Sequence, residues 1–137
     1  MTITNLQNQL LDKTRELIDR TVNHGLFLEG IADFYDDNEY QQIEADGRVY
    51  HSKEALVEDL SQLLSQVEEY LGGTIGAIGV AADDGQGNGV TMAEYKFSTR
   101  NKDGSKSGFD QVHVITWKSG KIVKSHYYYD PNANLKA

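Results

Sequence analysis

From Thr74 to Asp130 the chain alternates between strand-forming runs and short turn signals, and this stretch follows amphipathic, helix-like segments. The runs lie at 74–82, 90–100, 108–118 and 121–129, punctuated by Asp84–Gly85, Asp103–Gly104 and Ser119–Gly120. Helices first and a run of hairpin-linked strands second predict an α+β chain, with N-terminal helices packed on a strongly curved antiparallel sheet. That arrangement commonly encloses one deep pocket. The 137 residues fit a single domain over 1–137 and leave little room for a second.

The helical part is read from its apolar spacing. Leu6, Leu10, Leu17, Ile18 and Val22 fall on one side of a 3.6-residue repeat, predicting a surface helix over 5–22 with Gly25 as its left-handed cap. Leu28, Ile31, Ala32 and Tyr35 suit a second, shorter helix ending at Asp36-Asp37-Asn38. A small hairpin is expected around Asp46-Gly47. Ser52 then caps a third helix, with Glu54 in its first turn. Leu56, Leu60, Leu63, Leu64, Val67 and Leu71 extend that helix to a stop at Gly72-Gly73. In 109–117 both strand faces carry apolar groups: Phe109, Ile115 and Trp117 on one, Val112 and Val114 on the other. A strand apolar on both sides is buried twice, so a homodimer is expected across the face away from the helices, with Val112, Val114, Tyr127 or Tyr129 in the seam.

Composition narrows the functional classes. A net charge of −8, from 13 basic and 21 acidic residues, repels nucleic acid, and no basic stripe interrupts it. No apolar run reaches the roughly 20 residues a membrane span requires. The opening residues lack the basic and then apolar blocks of a secretory signal, so a cytoplasmic location is expected. The chain has no cysteine, which removes disulfides, thiol nucleophiles and thiolate metal sites. Neither a dedicated metal nor a cofactor is expected. The glycines of Asp83–Gly89 fit a loose hairpin loop and match neither a calcium loop nor a phosphate loop.

His113 is the leading chemical candidate. Alternation places it on the face of Phe109, Gln111, Ile115 and Trp117. If Ser119-Gly120 is a two-residue turn, Trp117 faces Ile122, His113 faces His126 and Gln111 faces Tyr128; a one-residue bulge would break this pairing. With an ordinary pKa near 6.5, such a histidine is a competent acid or base near neutral pH, while its bland alternative is a hydrogen-bonded structural residue beside tryptophan. Glu44 and Asp46 lie in the segment that closes over the cavity, where burial would raise a carboxylate pKa. Tyr128 or Tyr50 could donate to a developing oxyanion. Asp36, Asp37 and Glu39 read more simply as a solvated helix end.

Three stretches together resemble the NTF2-like superfamily, in its SnoaL-like and ketosteroid-isomerase-like branch. They are Ala32-Asp33-Phe34-Tyr35-Asp36-Asp37-Asn38, His51-Ser52-Lys53-Glu54-Ala55-Leu56 and Trp117-Lys118-Ser119-Gly120-Lys121-Ile122-Val123. The resemblance runs over nearly the whole chain and implies a cone of helices on a curved sheet, usually dimeric, around an apolar pocket. It also implies site positions. The family's general-base aspartate falls near Gln42 and Ile43, leaving Glu44 as the nearest carboxylate. The oxyanion-donating aspartate falls on His113, and Tyr35 matches a pocket tyrosine. The first-helix tyrosine of the isomerases has no counterpart, since residues 5–23 contain none. The expected function is a pocket for a small apolar or aromatic molecule, with proton transfer by His113, Glu44 and Tyr35. Trp117, Ile115, Phe109, His126 and Tyr128 are the expected ligand contacts. The alternative is a non-catalytic ligand-binding or dimerisation module.

Overall fold

The computed structural model describes residues 9–132. Residues 5–8 of the expected first helix lie outside them. Among the described residues three helices pack on a six-stranded, unclosed, curved sheet, an α+β arrangement. In chain order these are α1 (Gln9–His24), α2 (Phe27–Phe34), β1 (Gln41–Ile43), β2 (Val49–Tyr50), α3 (Lys53–Leu64), β3 (Val67–Asp83), β4 (Gly89–Asn101), β5 (Lys106–Lys118) and β6 (Lys121–Tyr128). The strand order across the sheet is β2-β1-β6-β5-β4-β3. The sheet is mixed rather than purely antiparallel, because β1 returns from the helices to run parallel to β6.

Helix α1 buries Leu10, Thr14, Leu17, Ile18 and Val22, the stripe its periodicity calls for, against β3 and β4. It ends at Gly25, whose φ of +65° is the left-handed cap conformation. Ser52 caps α3 by accepting from the Ala55 amide at 3.0 Å. On the helix-facing side of β4 and β5 lie Thr91, Ala93, Tyr95, His113, Ile115 and Trp117, all buried. The intervening Met92, Glu94 and Lys96 face out.

Two expectations change. The third helix stops at Leu64, and 67–71 opens the 17-residue strand β3. The leucine period misleads here because Leu63 is 57% exposed, so the stripe never closes onto a core. Val67 and Tyr70 are good strand formers, and they pair with Asn101 and Thr99 of β4. The Tyr70 hydroxyl ties this start to α1 by donating to the Val22 carbonyl at 2.6 Å. Gly72-Gly73 therefore sits within a strand. A Cβ on Gly73 would lie 1.9 Å from the Lys96 carbonyl oxygen, so close approach of the β4 backbone demands glycine there.

The second correction concerns the last hairpin. Ser119 and Gly120 both have positive φ, 51° and 78°, forming the expected two-residue turn of the I′ kind. Lys118 faces Lys121 and Trp117 faces Ile122 as expected. The register then slips, with Thr116 opposite Lys124, which leaves Val123 as an extra residue in β6. Every later β6 side chain changes face. His113 opposes Tyr127, not His126, and His126 opposes Val114.

Candidate functional site

The cone encloses a cavity of about 280 Å³. Leu17, Ile18, Phe27, Leu60, Phe97 and Phe109 give it an apolar wall, while Gln42, Glu44, Arg48, Tyr50 and Asp59 give it a polar one. Tyr35, Tyr95, Gln111, His113 and Tyr127 also line it. Phe97 anchors the aromatic wall, with ring centroids 5.2 Å from Phe27 and 5.3 Å from Phe109.

His113 stands on central strand β5 and is only 1% exposed. The Tyr127 ring stacks on it at 4.1 Å, a contact the Val123 bulge creates. Gln111 Nε2 donates to the Tyr95 hydroxyl oxygen at 3.1 Å, and that hydroxyl lies 3.3 Å from His113 Nδ1. A buried hydroxyl proton needs an acceptor, and Nδ1 is one within reach. Donation from Tyr95 to Nδ1 corresponds to the tautomer that carries the ring proton on Nε2. Nε2 itself is buried without a hydrogen-bond partner among the described residues. Burial lowers the His113 pKa to about 3. The expectation of a ring titrating near neutral pH gives way to a buried, neutral imidazole.

Glu44 lies at the β1–β2 turn, where its amide donates to the Arg48 carbonyl at 2.9 Å. Its Oε2 accepts from Gln42 Nε2 at 3.1 Å and its Oε1 from the Tyr129 hydroxyl at 3.3 Å. Arg48 approaches Oε1 at 3.7 Å. Burial raises the Glu44 pKa, against the opposing pull of Gln42, Arg48 and Tyr129. Asp46, by contrast, accepts from the Arg48 amide and side chain at the surface, which lowers its pKa, and it does not line the cavity. Tyr35 is buried on the cavity wall with its ring 4.7 Å from Tyr40, and burial raises its pKa. The Tyr50 hydroxyl donates to Asp59 at the polar wall, and burial pushes its pKa up to about 12.

The structure thus brings His113, Glu44, Tyr35 and Phe109 to one cavity. Trp117 and Ile115 are buried in the core and do not line it. His126 and Tyr128 stack on each other at 4.3 Å, with Tyr128 52% exposed, on the face the bulge gives them. They are not cavity residues. Tyr127, expected in an outer seam, takes their place inside. Asp36, Asp37 and Glu39 sit at the surface: Asp36 accepts from the Asn38 and Glu39 amides, Asp37 pairs with Lys53 and Glu39 with Lys118. Sequence reasoning missed Tyr95, Tyr127, Phe27, Phe97, Arg48 and Asp59 as wall residues. The alternation of β4 could have offered Tyr95 and Phe97. Among the described residues no group of three or more His, Cys, Asp or Glu is placed to hold a metal, and no helix is long and apolar enough to cross a membrane.

No family model and no curated protein matches the sequence. Solved structures do match its shape. A protein described as a SnoaL-like polyketide cyclase from Mesorhizobium loti shares 23% identity over 94% of this chain and 100% of that one, with a TM-score of 0.64. An NTF2-like protein of unknown function from Burkholderia pseudomallei superposes with a TM-score of 0.66 at 13% identity, covering 89% of this chain and 91% of that one. A protein with a ketosteroid-isomerase-like fold from Catenulispora acidiphila, solved with trimethylamine, gives 0.65 at 14% identity, over 88% and 89% of the two chains. The fold is NTF2-like. At these identities the likeness carries architecture alone.

Proposed function

We propose that the cavity takes a small, mostly apolar carbonyl compound and that the protein moves a proton at the carbon next to the carbonyl. The observation that carries this reading is a neutral, buried imidazole with an unpartnered Nε2 lining the same cavity as a carboxylate whose pKa burial has raised. The Glu44 carboxylate removes the C–H proton, and the electron pair moves into the carbonyl, whose oxygen accepts from His113 Nε2–H. Returning the proton from Glu44 to another carbon of the enolate isomerises the compound and restores the free carboxylate. His113 stays neutral throughout, and Tyr35 and the aromatic wall orient the ligand. A raised carboxylate pKa suits this task, because it narrows the gap to a weakly acidic C–H.

The test is deuterium uptake from D₂O into a panel of cyclic enones and β-keto esters, followed by proton NMR. Glu44→Gln is expected to keep binding but slow uptake by about 10²–10⁴-fold. A bound compound that exchanges equally fast with wild type and Glu44→Gln would remove Glu44 as base. Compounds that bind without exchanging would favour the second reading, a non-catalytic binding module. That reading draws support from the three donors already gathered around Glu44.

The outer sheet face supports a proposal on assembly. Met92 and Tyr128 are exposed there, beside the half-buried Val112 and Val114. We infer that a second copy covers them about a two-fold axis. Sedimentation equilibrium is expected to give the dimer mass at micromolar concentration, and a monomer would count against this face.

A further inference from the structure

We propose that Gln42 is the positioning residue for Glu44, its amide held in one orientation by the Tyr40 hydroxyl so that the carboxylate is presented to the cavity. The inference rests on Glu44 being the base proposed above. The geometry is a short relay along one strand and its approach. Tyr40 and Gln42 are both buried, and the Tyr40 hydroxyl donates to Gln42 Oε1 at 2.6 Å. Gln42 Nε2 donates in turn to Glu44 Oε2 at 3.1 Å.

The direction of this relay follows from chemistry. An ionised carboxylate only accepts, so the amide nitrogen must face Glu44 and the amide oxygen must face Tyr40. Tyr40 then supplies the one donor that makes this orientation the stable one. Gln42 lies in β1 and Glu44 just past its end, and both side chains line the cavity. The backbone under Gln42 is fixed on both sides, paired with Tyr50 of β2 and Ser125 of β6. Burial of an amide without partners is costly, and here both ends are satisfied, which locks the Glu44 side chain through a rigid donor.

The groups around Glu44 bound what a titration can report. Arg48 and Asp46 face it from its own hairpin, Tyr50 from β2, Tyr129 from the segment after β6, and Tyr35, Tyr40 and Tyr95 across the cavity. The tyrosines are neutral near pH 7, since burial raises the pKa of each. Among these groups Arg48 and Asp46 carry the nearby charges, and neither changes in the variants below. Removing the Gln42 donor takes away the hydrogen bond to the charged form, so the Glu44 midpoint rises.

The test uses the full chain with ¹³C-labelled glutamate side chains, and the Glu44 signal is assigned by its loss in Glu44→Gln. Gln42→Leu is expected to raise the Glu44 midpoint by about one pH unit, and Tyr40→Phe by less in the same direction. If a panel compound exchanges, Gln42→Leu should move the acid limb of its rate profile upward by the same amount and lower kcat more than it changes KM. The carboxyl titration needs no turnover, so it judges Gln42 even if no compound exchanges. Thermal melts establish which variants are folded, and Tyr40→Phe carries the test if Gln42→Leu does not fold. A Glu44 midpoint equal to wild type in the folded variants would overturn the proposal.

Discussion

Trp117→Ala is expected to remove about 3–5 kcal/mol of stability, the largest loss among single truncations in this core. Trp117 is 2% exposed, with its ring edge-on to Phe34 at a centroid distance of 6.4 Å. Its Nε1 donates to Thr91 Oγ1 at 2.9 Å, and Thr91 in turn meets the Thr14 hydroxyl of α1 at 2.7 Å. All three residues are buried, so the alanine variant leaves both a void and an unfilled acceptor. Trp117→Phe retains most of the volume and loses the donor, for an expected cost of about 1–3 kcal/mol. Domains of this size have roughly 5–15 kcal/mol in hand, so the alanine variant should sit near its unfolding midpoint in little denaturant. Urea unfolding reads this directly. A loss below about 1 kcal/mol with an unchanged denaturant slope would mean that Trp117 is not the keystone between α1 and the sheet.

The second large effect is pH-dependent. In the unfolded chain His113 takes up a proton near its ordinary pKa of 6.5, whereas in the folded protein burial delays this to about 3. Between those values the unfolded state binds more protons, so stability falls as pH falls, by up to about 1.4 kcal/mol per pH unit. Glu44 works the other way. Its raised folded pKa makes the folded state the better proton binder just above the unfolded carboxylate value, and stability gains there as pH falls. Comparing slopes, not absolute stabilities, isolates the histidine. His113→Gln should lose about 2 kcal/mol less than wild type between pH 6 and pH 4.5. Matching slopes for the two proteins in urea melts across this range would show that His113 is not held neutral.

These effects depend on details that were unequally visible in the sequence. The α1 stripe from Leu10 to Val22, the Ser52 cap and the Ser119-Gly120 turn are local chemistry, and each was readable from neighbouring residues. Val67–Leu71 was not, because a leucine repeat and a strand former compete there and only the distant β4 ladder decides between them. Val123 is the sharper case. One extra residue in β6 exchanges Tyr127 for His126 inside the cone; a bulge near Lys-Ser-Gly-Lys was an open alternative, but no local pattern places it at Val123. His113, Phe109 and Gln111 kept their face because they precede the slip on the other strand. Glu44 was reached through its place in the segment closing over the cavity and its nearness to Gln42, and its burial comes from contacts with Tyr129 and the hairpin that no local pattern encodes.

The placement of the two chemical groups has a consequence for local opening. His113 belongs to a strand bonded along both sides, to Ala93 of β4 and Tyr127 of β6. Glu44 sits at the tip of a hairpin whose strands span three and two residues at the end of the sheet. Hydrogen-bonded units of such different extent open on different free-energy scales, the hairpin far below the global one. The donor half of the cavity is thus part of the last structure to unfold, and the carboxylate half part of the first. Detachment of the hairpin parts the two groups while the rest of the cone stays folded, so the site exists only for the fraction of time the hairpin is seated.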